Sequence, residues 1–108
     1  MNVHHRPFLV EIRWKDYALL GLSEKQRDEF EYAVDEAIFG RDCAASIIRK
    51  TLIAAWDFRE RLSLSNIKWL NQYNLGVVIT ILTMRNYAHF EDLIANSNEV
   101  FDEFYKKK

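Results

Sequence analysis

The sequence predicts a mainly α protein, a compact bundle of three to four helices with an extended segment at its N-terminus. Three observations carry that expectation. Only 3 glycines and 1 proline interrupt 108 residues, so long regular elements are favoured over the many turns of a small sandwich or barrel. Apolar residues make up 49% of the chain, with Phe 7, Tyr 5 and Trp 3, which is ample material for one core at this length. Apolar positions recur at spacings of three and four through most of the chain, the period of a helix with one buried face.

The elements follow in order. Residues 1–6 are polar, and a terminus of this kind is expected to be loose. Phe8, Val10, Ile12 and Trp14 alternate with Leu9, Glu11 and Arg13, a strand period just after Pro7. Ser23 and Gln26 form a capping box, with Leu22 placed as a hydrophobic staple, and open the first helix. Its stripe is Phe30, Ala33, Val34, Ala37 and Ile38, and Gly40 should end it. Asp42 caps a second helix expected to run to about Leu62, apolar on more than half its circumference. After a polar joint at Ser63 to Asn66, the positions Ile67, Leu70, Asn74, Val77, Ile81 and Met84 predict a third long helix. A competing α+β reading places strands near 8–14 and 76–83, because Val77 to Thr83 is rich in β-branched residues and Gly76 is a helix breaker. Glu91 to Tyr105 forms the last helical region, with a break or new cap at Asn96-Ser97-Asn98. No linker divides the chain, so residues 1–108 are expected to form a single domain.

Charge limits the partners. The net charge is -1 from 15 basic and 16 acidic residues, which is not the balance of a dedicated duplex binder. It is unevenly spread: Ser23 to Phe39 has net charge -4, Gly40 to Leu62 +2 and Phe90 to Lys108 -2. Cys43 alone excludes an internal disulfide or a cysteine metal cluster. No metal or cofactor is expected. The start of the chain lacks the pattern of a signal peptide. Its longest strongly apolar run, Leu75 to Met84, is about half a membrane span. A cytoplasmic protein without membrane contact is the default expectation.

Glu24, Asp28, Glu31 and Asp35 fall on one side of the first helix, with Tyr32 beside them. Acids in register with an adjacent aromatic suit a protein partner, a basic one in particular. Ile53 and Trp56 widen the apolar face of the second helix and are the expected contacts of a homodimer. No phosphate-binding glycine loop, dinucleotide fingerprint or zinc-protease motif occurs, so binding is favoured over catalysis. The expected function is a small non-catalytic protein-binding module: an inhibitor, an immunity-type protein or a regulatory adaptor.

The alternative is catalytic. Arg85, Asn86 and His89 follow the apolar run. This trio resembles the arginine, polar residue and histidine of HEPN ribonucleases, which are helical bundles. Those enzymes place four to six residues between arginine and histidine; here three intervene. The resemblance covers five residues. It implies metal-independent RNA cleavage, in which Arg85 holds the phosphate, His89 handles the proton and Asn86 helps to orient them.

Overall fold

A computed structural model describes residues 11–14, 21–57, 61–85 and 90–107. Within them the chain is a mainly α bundle of six helices, four of them long. Ser23 is the N-cap of α1, Glu24–Phe39: its hydroxyl accepts from the Gln26 backbone N–H, and the Gln26 side chain accepts from the Ser23 N–H. Phe30, Ala33, Val34, Ala37 and Ile38 are all buried, as the stripe predicts. Gly40 ends α1 with φ -71, so the left-handed conformation is not what the position needs. A Cβ there would lie 2.4 Å from that of Ala45 and 2.7 Å from the Glu36 carbonyl oxygen. Glycine lets α2 start hard against the end of α1.

Asp42 caps α2, Cys43–Trp56, by accepting from the Ala45 N–H at 2.8 Å. Cys43, in its first turn, is exposed rather than part of the core. The helix stops at Trp56, short of the expected Leu62. The last helix fastens this end. Trp56 stacks on Phe101 with ring centroids 4.4 Å apart, and the Tyr105 hydroxyl donates to Asp57 Oδ2 at 2.9 Å. Asp57 is extended.

The third helical region is split. A short α3, Leu64–Ile67, ends in a turn, and α4 spans Gln72–Met84. Asn71 supplies the new start, its Oδ1 accepting from the Asn74 N–H at 2.8 Å. Residues 76–83 are therefore helix, and the strand alternative there is overturned. β-propensity chiefly measures fit to a half-buried surface, and α4 buries Val77, Val78, Thr80 and Ile81 against the bundle while Ile79 stays exposed. Gly76 is tolerated inside α4 for a packing reason. Glu29 of α1 is buried and accepts from the Thr80 hydroxyl at 2.9 Å. A Cβ at residue 76 would come within 3.0 Å of its other carboxylate oxygen.

Helices α1, α2 and α4 pack pairwise, and α6, Ser97–Lys107, closes the core against α1 and α2. A short α5, Phe90–Leu93, precedes it. The break between them falls at Asn96, whose φ of 58 is the left-handed region that asparagine enters more readily than most residues. The described residues of the extended segment pair here and not with residues 76–83. Ile12 bridges Ile94, the Arg13 N–H donates to the Leu93 carbonyl at 2.8 Å, and the Ala95 N–H donates to the Glu11 carbonyl at 2.9 Å. The rest of the expected strand, residues 8–10, lies outside the described residues, as do residues 1–6.

Candidate functional site

A helix advances about 100° per residue, so positions 24, 28, 31 and 35 drift little and form one ridge on α1. The ridge runs about 17 Å along the helix axis. Glu24, Asp28 and Glu31 are exposed and Asp35 is half-buried. No ion pair or side-chain hydrogen bond engages Glu24 or Asp28 among the described residues. Glu31 accepts a 2.7 Å hydrogen bond from Trp14 Nε1, and the Trp14 ring meets Phe30 edge-on at 5.7 Å. The N-terminal extended segment thus holds one flank of the ridge.

The other flank is aromatic. Tyr32 turns toward α4, where its ring meets Tyr73 edge-on with centroids 5.1 Å apart. Its hydroxyl reaches Asn74 Oδ1 at 3.4 Å, a long and weak bond. Tyr73 is half exposed. Burial pushes the Tyr32 phenol above its ordinary pKa, reinforced by Glu36, Tyr73 and Asp42. Burial, then Glu29 and Asp28, does the same to Tyr73. Both phenols therefore remain neutral donors in a field of carboxylates. Tyr73 belongs to the site although the sequence did not reveal it, because it comes from a different helix.

Glu36 flanks the same surface in the last turn of α1. Burial raises its pKa above the ordinary 4.5, and Asp42 and Asp35 raise it further. The ionised form is therefore penalised in the fold, and the negative end of the helix adds to that penalty. The sign follows. Whatever stability Glu36 contributes is present while it is protonated and is lost as the pH rises past 4.5 and through its raised folded value. Glu36→Gln is expected to raise the melting temperature at neutral pH and to leave it unchanged well below pH 4.5. Equal shifts at both pH values would assign the effect to packing instead of charge.

The expected dimer contacts are placed differently. Ile53 is 1% exposed within the core, and Trp56 is half-buried on Phe101. The breadth of α2 is used inside the chain, since α1, α4 and α6 all pack on it. Ile53 is therefore spent on the core of its own chain, and Trp56 keeps only part of its surface for any second subunit. Besides Phe39 and Tyr73, the exposed large apolar residues among those described are Trp69 beside Lys68, and Ile79 and Leu82 on the outer face of α4. That face carries no charge with which to select a partner.

Of the catalytic trio, Arg85 is the exposed C-cap of α4, with its backbone N–H bonded to the Ile81 carbonyl at 3.1 Å. No side-chain bond brings a second functional group to it among the described residues. Asn86 and His89 lie outside the described residues.

Among the described residues, no group of three or more His, Cys, Asp or Glu side chains is placed to hold a metal ion. No helix among them is long and apolar enough to cross a membrane. Comparison with known proteins returns no match, whether with family models, curated proteins or solved structures.

Proposed function

We propose that the protein is a non-catalytic binding module that docks a basic protein on the α1 ridge. The observation that carries this reading is the exposure of Glu24 and Asp28, in register and without a neutralising cation among the described residues. In a fold whose net charge is only -1, an exposed acidic ridge that includes Glu24 and Asp28 is a directional feature. It attracts a Lys- or Arg-bearing surface and fixes its register, with more effect on association rate than on affinity. Tyr73 and Tyr32 supply aromatic area beside the acids, the composition that anchors protein interfaces. A guanidinium or ammonium group would meet carboxylates and ring faces together.

The test uses Glu24→Lys with Asp28→Lys. Glu31 and Asp35 are spared because Glu31 holds Trp14 and Asp35 is half-buried. Wild type is expected to recover a basic protein from a cell extract, and the double reversal to lose at least about tenfold of that binding at physiological salt. Tyr73→Ser should weaken the same complex without changing its salt dependence. Equal recovery of every partner by wild type and double reversal would refute the ridge as the docking surface.

A further inference from the structure

We propose that the cleft where the end of α1, the start of α2 and the end of α6 meet is a binding site for a small phosphorylated molecule. The cleft has a volume of about 540 Å³, within the range of small-molecule sites. Three cations from three parts of the chain line it: Arg41 between the helices, Arg49 on α2 and Lys107 on α6. Ile38 and Phe39 form its apolar part.

Arg49 is the fixed element. It is 6% exposed, yet no carboxylate among the described residues bonds to it. Its Nε donates to the Ala37 carbonyl at 2.7 Å, Nη2 to the Gly40 carbonyl at 2.9 Å and Nη1 to the Lys107 carbonyl at 3.4 Å. A guanidinium has five N–H groups, so one on each terminal nitrogen is left over. The carbonyls at the ends of α1 and α6 carry partial negative charge and offset part of the charge on Arg49. They do nothing for Arg41 and Lys107, which are exposed and whose side chains have no partner among the described residues.

Three acids lie near the cleft, and only one of them lines it. Glu103 lines the cleft, but its Oε1 accepts from Lys106 at 3.2 Å. Asp42 is turned to the Ala45 N–H, and Glu36 lies close to Gly40, where a Cβ would come within 2.5 Å of its Oε2, but neither carboxylate is part of the lining. The lining therefore presents an excess of positive charge around a buried guanidinium. A phosphate dianion matches that excess better than a single carboxylate, and its tetrahedral oxygens suit donors arriving from several directions. The volume leaves room for an organic body beyond the phosphate, against Ile38 and Phe39.

The test is an NMR titration of the full chain with inorganic phosphate, then with pyrophosphate, at constant ionic strength, with chloride as the control. Saturable shifts are expected at the amides of residues 38–41 and 103–107, with a dissociation constant at or below about 10 mM. Arg41→Ala with Lys107→Ala should weaken binding by at least about tenfold while keeping the wild-type amide pattern elsewhere. Glu24→Lys with Asp28→Lys should leave phosphate binding unchanged, which separates this site from the acidic ridge. Shifts that do not saturate, shifts centred elsewhere, or binding that the Arg41 and Lys107 variant retains within about twofold would each overturn the proposal.

Discussion

Phe101→Ala is expected to lower the unfolding free energy by about 3–5 kcal/mol. The ring is fully buried, stacks on Trp56 with an interplanar angle of 15°, and meets Phe104 edge-on at 5.0 Å. Its removal leaves a cavity between α2 and α6 whose walls are fixed by the pairing of other residues, such as Tyr105 with Asp57, so the site cannot close fully. A domain of this size has about 5–15 kcal/mol in total, so this single change should consume much of the margin. Urea denaturation followed by circular dichroism gives the magnitude. Tryptophan emission in a Trp14→Phe, Trp69→Phe background gives the location, because Trp56 loses its stacking partner and gains access to water. A loss under about 1 kcal/mol with unchanged emission would mean that α6 does not cover α2 as described.

Arg49→Ala should cost about 2–3 kcal/mol, although the residue is charged and contributes nothing to the apolar core. One side chain bonds the carbonyls of Ala37, Gly40 and Lys107 and so ties the ends of two helices together. Without it those acceptors lose a charged donor. Water entering the adjoining cleft can reach some of them, which keeps the cost below three full bonds. Arg49→Lys should recover little, because an ammonium has no fork with which to reach carbonyls in three directions. The measurement is again urea unfolding, together with amide exchange at the end of α6, where protection should fall. Full stability in the Lys variant would show that charge alone, without the fork, is what the position requires.

These two residues also mark where reading from sequence stops. Phe101 stands with Val100 and Phe104 at the apolar positions of its helix, a pattern visible in the sequence itself. Arg49 reads as a solvated residue of α2 until the carbonyl ends of two other helices are brought to it. Trp56 looks like surplus apolar surface for the same reason: its cover, α6, begins some forty residues further along the chain. Periodicity places the start of α4 too early, because Ile67 and Leu70 continue the three-and-four spacing across a turn. Periodicity alone does not register a turn between two helices that share one core. The local signal, Asn71 capping Asn74, was present and was outweighed by the period.

What the chain determined by itself are the features whose cause lies within a few residues. The capping box at Ser23, the cap at Asp42, the buried stripe of α1 and the acidic ridge opposite it all depend on one turn of helix and its period. The left-handed break at Asn96 belongs with them. Tertiary structure alone decided the rest: which partner takes the extended segment at Ile12, why Gly76 stands inside a helix beside Glu29, and how Tyr73 joins the ridge. It also brought Arg41, Arg49 and Lys107 to a common cleft. Each of these joins groups far apart in sequence, and side-chain spacing along one element carries no information about what a second element will bring to it.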